Sequence, residues 1–413
     1  MFEARIRQRP FMRRFGPGVP MHKLFIYLVS LGHFAVDLAP GALPAFLPFL
    51  VLHNGISYTE VAGLMFASSC LASVLQPVFG YWADKSSRHW FIGAGIAMSG
   101  LGLGLTGLFT NYWAIFAAIT VMGVGTSLFH PEGARIVNRA ARESRATGMG
   151  IFSVGGNAGF GLAPLLAAAA LTTWGAPGTL VFAVFGVAMA LVMFWLVPQQ
   201  FRRLEGADSA SAASGKVQPE RTGDNDWHAF ARLTVVIFCR SVALTGLLAF
   251  LPLFCIHRFG ITEAFSSTLI SFLCIAGAVM TVAGGWLTDR LGLVRACRLG
   301  YLTMAPAFAL ILAAPSVGWI FPVMILASFA LNGTYAAFVV LGQSYLARNV
   351  GLASGVTLGL SASLGGIFTP LIGLAADAWG IESVMFILTG IGVLCAAATF
   401  SLPEPRERNA CGV

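Results

Sequence analysis

Long apolar stretches alternate with short polar connections along the chain, from residue 22 to residue 402. Most of the stretches have about 20 residues or more, the length that an α-helix needs to cross a hydrocarbon core of about 30 Å. Because backbone groups in lipid must be paired within helices or closed barrels, stretches of this length predict helices. The pattern predicts twelve membrane-spanning helices, at residues 22–52, 58–81, 90–109, 112–137, 146–170, 177–197, 229–256, 262–287, 295–313, 317–346, 352–376 and 382–402.

A polar segment rich in Ser and Ala separates the first six spans from the last six. The predicted fold class is therefore an all-α polytopic membrane protein with twelve transmembrane helices in two six-helix bundles. The segment itself has the composition of a flexible linker. The predicted organisation is a basic tail (1–21), an N-terminal bundle (22–197), the linker (198–228), a C-terminal bundle (229–402) and a short tail (403–413).

Composition and charge agree with this prediction. Hydrophobic residues make up 57% of the chain and charged residues only 10%, too few to cover a soluble domain. The net charge of +8 could indicate nucleic acid, but apart from Arg240 and Arg258 the basic residues cluster in or beside the tails and the even-numbered connections. The positive-inside rule then places both termini in the cytoplasm. The basic tail is expected to contact membrane lipids, not nucleic acid, and it lacks the apolar run of a signal peptide.

Several classes of site are not expected. The seven cysteines lie mostly inside spans and never at CxxC spacing, so neither disulfides nor a metal cluster is predicted. Lys216 lacks both the Gly six residues earlier and the following Ser or Thr of a phosphate-binding loop, so ATP is not the energy source within this chain. The sequence therefore predicts a protein that is not an enzyme and that has no cofactor and no metal.

The two halves repeat each other. Gly80 and Asp84 recur as Gly285 and Asp289, and the Trp174-Gly175 pair recurs at the same offset as Trp379-Gly380. Tandem six-helix repeats enclose a site near the middle of the membrane in many transporters.

The connection after helix 2 resembles a loop motif of the major facilitator superfamily, Gly-x-x-x-Asp-basic-x-Gly-basic-basic. The copy beginning at Gly80 has Ser87 in place of the second Gly, and the copy beginning at Gly285 delays its basic residues. Gly permits close helix approach, Asp can cap the next helix, and the basic residues can pair across the loop. The resemblance implies a gate on one face, made by Gly80, Asp84, Lys85, Arg88, Gly285, Asp289, Arg290 and Arg135. An ordinary loop that keeps charge out of lipid is the alternative.

A narrower resemblance is to the fosmidomycin-resistance family of bacterial efflux carriers. It is carried by His33-Phe-Ala-Val-Asp37 with Leu43-Pro44-Ala45, by Phe129-His130-Pro131-Glu132-Gly133, and by Gly155-Gly156-Asn157-Ala158-Gly159. The resemblance implies a monomer in the bacterial inner membrane that exports drugs of the fosmidomycin type by inward proton movement, and it leaves the natural substrate open.

Asp37 is the principal proton-site candidate, because it is one of only two acids well inside a span, and ionisable groups there are costly and usually functional. Burial favours its neutral form, so that it could bind and release protons. His33 lies one turn before it on the same face of helix 1. The alternative is a structural carboxylate bound to a neighbouring helix.

Arg240 lies at a comparable depth in helix 7, the repeat partner of helix 1. An Asp37–Arg240 salt bridge is therefore plausible. Arg240 would either hold Asp37 deprotonated until substrate arrives, or receive a phosphonate or carboxylate through its planar fork. An internal ion pair without a transport role is the alternative.

The inner half of helix 4 carries His130, Glu132 and Arg135, with Pro131 bending the helix. These residues are read either as a second protonation or gating cluster, or as a network at the cytoplasmic side. Weaker candidates for substrate contact are the uncharged polar residues Gln76, Asn157, Asn332, Tyr335 and Gln343, each of which could equally be a contact between helices.

The combined prediction is a secondary transporter that exchanges protons for small drug-like or anionic compounds by alternating access around Asp37 and Arg240. The runner-up is an importer or facilitator of a small organic metabolite. A non-transporting membrane receptor on the same scaffold is the alternative from another class.

Overall fold

The computed structural model describes residues 22–85, 89–141, 145–211, 224–349, 353, 356–357 and 361–405. Some side chains within these ranges are not described, chiefly in the second half of the second helix. The described chain is almost entirely helical, as the alternating pattern predicts.

The first half contains six long helices: α1 (Lys23–Asn54), α2 (Tyr58–Lys85), α3 (Trp90–Gly104), α4 (Tyr112–Ala141), α5 (Arg145–Trp174) and α6 (Leu180–Ser211). Short 3₁₀ turns at Thr106–Leu108 and Ala176–Thr179 join the ends of α3 and α6 to their neighbours.

The second half has the same plan with more interruptions: α7 (Trp227–Phe259), α8 (Glu263–Leu291), α9 (Leu293–Leu302), α10 (Met304–Leu312), α11 (Val317–Ser328), α12 (Tyr335–Tyr345), α13 (Ser361–Trp379) and α14 (Glu382–Phe400). Predicted helix 9 is α9 followed by α10, with a break at Thr303. Predicted helix 10 is α11 and α12, joined by a π-helical turn at Phe329–Gly333.

Nine stretches among the described residues are long and apolar enough to cross a membrane. Three predicted spans are not among these nine: the second, the ninth and the eleventh. The ninth is divided into two short helices at Thr303. Helix α2 has 28 residues, so that its length of about 42 Å would also cross the hydrocarbon core. The predicted all-α polytopic fold is confirmed.

The backbone repeats between the halves as the sequence does. Helix α1 ends at Gly55 (φ 67°) and helix α7 ends at Gly260 (φ 64°), both in the left-handed conformation that glycine adopts without strain. Gly175 and Gly380, which follow the repeated Trp residues, also have positive φ. The tandem repeat thus fixes the same turns at corresponding helix ends.

The linker prediction needs a correction. Helix α6 continues through Pro198 to Ser211, and α7 begins at Trp227, so the predicted linker is helical at both ends. Alanine is the best helix former, and an Ala/Ser-rich stretch after an established helix can prolong it. Residues 212–223 lie outside the described part of the chain.

The two bundles meet mainly along two helix pairs. Helix α2 packs on α13, where a Cβ at Gly373 would lie 2.7 Å from the carbonyl oxygen of Tyr58, and helix α5 packs on α8 beside Gly161 and Ile275. Glycine at such crossings lets helix backbones approach closely.

The bundles are in close contact at the end where α2 begins, where Gly373 of α13 faces the backbone of Tyr58. Asn157 and Val154, one and two turns before Gly161 on α5, are exposed, and so are Val279 and Val282 of α8.

Candidate functional site

The Asp37 carboxylate lies between two histidines. Its Oδ2 is 3.2 Å from Nε2 of His33, one turn earlier on α1, and its Oδ1 is 3.3 Å from Nε2 of His130 on α4. The three side chains are 14%, 11% and 29% exposed, so that His130 is the most accessible member. We call this group the His33–Asp37–His130 cluster.

Both imidazoles are oriented from behind by backbone carbonyls. Nδ1 of His33 lies 2.8 Å from the carbonyl oxygen of Phe152, and Nδ1 of His130 lies 2.7 Å from that of Thr126. Since a carbonyl oxygen can only accept, each Nδ1 carries the hydrogen and donates it. The ring of His33 also stacks on Phe152 at 4.0 Å between centroids. Each Nε2 is thereby aimed at the carboxylate.

Glycines of α5 make room for the cluster. A Cβ at Gly156 would lie 2.5 Å from Nε2 of His33 and 2.8 Å from Oδ2 of Asp37. The neighbouring Gly155 and Gly159 similarly face the backbone carbonyls of Ser30 and Phe34 on α1. The Gly-Gly-Asn-Ala-Gly motif thus allows α5 to approach α1 against the charged face of that helix.

Arg240 occupies the corresponding depth of the second bundle and is 4% exposed. Its Nε donates to the carbonyl oxygen of Leu331, and its guanidinium carbon lies 5.3 Å from the ring centre of Phe338 and 5.8 Å from that of Tyr335. Among the described residues no carboxylate lies within 4 Å of the guanidinium. Burial of a cation with only a carbonyl and two ring faces is costly, and the fork remains able to bind an anion.

The acceptor for Arg240 is supplied by an irregularity in the backbone. Leu331 belongs to the π-helical turn between α11 and α12. At this turn a Cβ on Gly284 of α8 would overlap the backbone of Gly333, so the two segments are in direct backbone contact. Single π-helical turns within α-helices are frequent at functional sites. The predicted contact residue Asn332 lies in the same turn, with its side chain against Gly277.

The predicted Asp37–Arg240 salt bridge is not formed in this structure. Asp37 is bound by the two histidines, and Arg240 is bound to Leu331. Each charged side chain therefore binds partners within its own bundle. The depth of a residue along its helix does not predict which partners it binds.

The predicted helix 4 group divides into two. His130 joins Asp37, whereas Glu132, fully buried, accepts bonds of 2.9 and 2.7 Å from Nε and Nη2 of Arg135. Residues two apart on a helix point to different sides, so the two groups separate. Glu132 and Arg135 therefore form a bidentate pair apart from the His33–Asp37–His130 cluster.

A contact between the bundles was missed by the sequence reasoning. The Asp377 carboxylate of α13 accepts bonds from the backbone N–H groups of Tyr58 and Thr59, at 2.9 and 2.8 Å, and from the Thr59 hydroxyl. An acid at a helix N-terminus is favourable, and here it comes from the other bundle. Asp377 is the only acid in the α13 sequence, which was the available signal. We call this contact the Asp377 latch.

The remaining candidates are less closely engaged. Gln76 and Gln343 are half-buried and Asn157 is exposed. Gly285 is half-buried, Asp289 is exposed, and Arg290 stacks on Trp286 at 4.0 Å. In the first copy of the predicted gate, Arg88 and the side-chain environments of Gly80, Asp84 and Lys85 lie outside the described part of the chain.

Similarity to known proteins identifies the family of this chain. The sequence matches the Major Facilitator Superfamily over residues 29–370. This chain belongs to that superfamily. As a member it is a multi-pass membrane transporter for a small-molecule substrate and not an enzyme.

Two relatives align with this transporter over nearly their full lengths. The fosmidomycin resistance protein of Escherichia coli (strain K12) is 27% identical over 387 residues, which are 92% of this chain and 93% of that protein. The uncharacterized MFS-type transporter YfnC of Bacillus subtilis (strain 168) is 26% identical over 397 residues, 95% of each chain.

Solved structures of other transporters share the fold. A bacterial homolog of the human lysosomal transporter Spinster, in an inward-facing and occupied conformation, superimposes with a TM-score of 0.76 at 15% identity and covers 93% of this chain and 97% of its own. A variant of the nucleoside transporter NupG superimposes with a TM-score of 0.74 at 14% identity, over 93% and 100%. At these identities the likeness concerns the fold alone.

Proposed function

We propose that this transporter is a proton-coupled antiporter that exports small anionic or drug-like compounds by alternating access. One observation carries the proposal: a carboxylate between two imidazoles lies inside the first bundle, and a buried guanidinium with no carboxylate partner among the described residues lies inside the second. The first site suits protons, and the second suits an anion.

The proton site follows from the hydrogen-bond inventory of the cluster. With its Nδ1 hydrogen given to a carbonyl, a neutral His33 or His130 turns the lone pair of Nε2 toward Asp37. An ionised carboxylate offers only lone pairs as well, so the fully deprotonated cluster is self-repelling. The cluster is therefore satisfied by one or two protons, and His130, the most accessible member, is the entry and exit point.

The anion site follows from the planar fork of Arg240. Phosphonate and carboxylate oxygens match a guanidinium fork through two parallel hydrogen bonds. The flanking Tyr335 and Phe338 rings would exclude water from the complex. The name of the fosmidomycin resistance relative supports an anionic, drug-like substrate for the present chain as well.

The remaining parts of the proposal concern placement. The basic residues in the tails and even-numbered connections support cytoplasmic termini in a bacterial inner membrane, with the basic tail on lipid headgroups. The Asp377 latch then closes the outer side. The transporter would work as a monomer.

The test measures substrate-triggered proton movement in proteoliposomes with an imposed pH gradient, using fosmidomycin and a panel of small organic anions and cations. Asp37→Asn should abolish proton movement, and Arg240→Lys should weaken transport of anions more than that of cations. Asp224→Asn and Arg348→Lys, which change an exposed ion pair, serve as matched controls.

Each proposed role has its own contradicting result. If neither the pH gradient nor Asp37→Asn changed the substrate flux, the protein would be a facilitator and proton coupling would be contradicted. Unchanged anion transport by Arg240→Lys would contradict the fork as the anion site. Binding of a ligand without any flux would identify a receptor.

A further inference from the structure

We infer that the His33–Asp37–His130 cluster is also a binding site for a divalent transition-metal cation of the Zn²⁺ or Co²⁺ class, which competes with protons there. The ligand atoms are Nε2 of His33, Nε2 of His130 and a carboxylate oxygen of Asp37, and all lie within 4.8 Å of one another. The binding claim stands on this geometry alone.

The distances fit a tetrahedral cation. Bonds of about 2.0–2.1 Å to imidazole nitrogen and carboxylate oxygen place neighbouring ligand atoms about 3.3 Å apart in a tetrahedron. Nε2 of His33 is already 3.2 Å from Oδ2 of Asp37, and Nε2 of His130 is 3.3 Å from Oδ1 of the same carboxylate. With one of these oxygens as the ligand, its separation from the other nitrogen and the separation between the two nitrogens adjust from within 4.8 Å.

The orientation of the histidines is that of metal ligands. A ligating histidine typically donates its other ring N–H to a carbonyl or carboxylate, which fixes the tautomer and turns a lone pair toward the metal. His33 does so to Phe152 and His130 does so to Thr126. The three inward lone pairs repel one another unless a cation lies between them, and one divalent ion can replace two protons.

Space and selectivity point the same way. Gly156 keeps side-chain atoms of α5 away from Nε2 of His33 and Oδ2 of Asp37, because a Cβ there would lie 2.5 and 2.8 Å from these ligand atoms. No other titratable side chain of α1, α4 or α5 lies within hydrogen-bond reach of the cluster in the described part of the chain; Glu132 turns away to Arg135. Two imidazoles and one carboxylate suit Zn²⁺, Co²⁺ or Ni²⁺, whereas Ca²⁺ and Mg²⁺ require mostly oxygen ligands. The spacing in sequence did not predict the site, because its ligands come from two distant helices.

Binding is measured on purified full-length protein from which any histidine tag has been removed. Titration with Zn²⁺ by calorimetry at neutral pH should give one site per chain, with proton release and with affinity that falls as the pH is lowered. Co²⁺ should give the intense visible absorption of tetrahedral coordination. His33→Gln, Asp37→Asn and His130→Gln should each weaken binding by about tenfold or more.

The exposed His257, which lies 3.7 Å from Glu382, provides the matched control, and His257→Gln should bind as the unmodified protein does. Monodisperse elution in size-exclusion chromatography checks that each variant is folded. His130→Gln lies at the most accessible position of the cluster, so it requires the least rearrangement of neighbouring side chains. Absence of a stoichiometric site, or a site that survives all three cluster substitutions, would overturn the inference.

The consequence for transport rests on the proposed function: the bound cation should inhibit substrate-triggered proton movement. The two claims fail separately. Stoichiometric Zn²⁺ binding without any proton coupling would leave the metal site and refute only the antiporter. Proton coupling insensitive to Zn²⁺, in protein that shows no cluster-dependent binding, would refute only the metal site.

Discussion

Gly156→Ala tests whether the close approach of α5 is what holds the cluster together. The new Cβ would lie 2.5 Å from the ring of His33, about 0.9 Å closer than ordinary contact at 3.4 Å. His33 cannot turn away freely, because it is stacked on Phe152 and bonded to the carbonyl of that residue. The substitution must therefore move either a ring or a helix.

The cost follows from the bonds that would be lost. Displacing His33 gives up its bond to the carbonyl, worth about 1 kcal/mol, and its bond to the Asp37 carboxylate, worth about 1.5–3 kcal/mol. Alanine returns about 1 kcal/mol through its better helix propensity. The net loss of unfolding free energy should be about 1.5–3 kcal/mol, in the range seen for overpacked cores.

The assay combines chemical unfolding in mixed detergent with proton movement in proteoliposomes. Gly150→Ala is a matched control on the same helix, since a Cβ there meets nothing within 4 Å, and it should be neutral or slightly stabilising. Gly156→Ala should lower substrate-triggered proton movement by about tenfold or more. If Gly156→Ala behaved like Gly150→Ala in both assays, the cluster would not depend on this approach.

Two further predictions concern residues outside the cluster. Asp377→Ala removes the latch, which is worth about 1 kcal/mol as a helix cap. The probe is a single buried cysteine, introduced as Ala62→Cys after the native cysteines have been replaced. Its reaction with maleimide should become about fivefold faster when the latch is removed. Asp224→Ala at an exposed site should leave that rate unchanged, and equal rates in all three proteins would rule out the latch. Glu132→Gln should reduce the unfolding free energy by up to about 3–5 kcal/mol through loss of the buried pair with Arg135, while the number of protons moved per substrate stays the same. A fall in that number would instead make Glu132 a coupling residue.

The sequence predicted the fold well because a lipid environment constrains it strongly. Span length, the central polar gap and the doubled loop motif sufficed for the helix order. The breaks at Thr303 and at Phe329–Gly333 were not predictable in this way, because apolar stretches look alike whether they are α-helical or contain a π-helical turn. The continuation of α6 to Ser211 was not predicted, because the Ser/Ala-rich composition indicated a linker although alanine has a high helix propensity.

The sequence identified several residues of the candidate site but not most of the contacts between them. Asp37 and His33 were found together because they lie on one turn of one helix. The approach of His130, the space left by Gly156 and the capping of α2 by Asp377 depend on packing between helices distant in sequence. Spacing along the chain does not report such contacts, and for the same reason it did not reveal that Arg240 bonds to the carbonyl oxygen of Leu331 in this structure.

The separation of Asp37 from Arg240 has an electrical consequence. Because the two side chains form no ion pair, the proton and the anion have separate binding sites and can be carried in opposite directions in the proposed exchange. When one proton moves inward and one monovalent anion moves outward, both movements carry positive charge into the cell. Each elementary charge gains about 2.3 kcal/mol per 100 mV, so that the exchange would gain about 4.6 kcal/mol from a potential of that size. Such a cycle is electrogenic, and a potassium diffusion potential alone, without a pH gradient, would drive it.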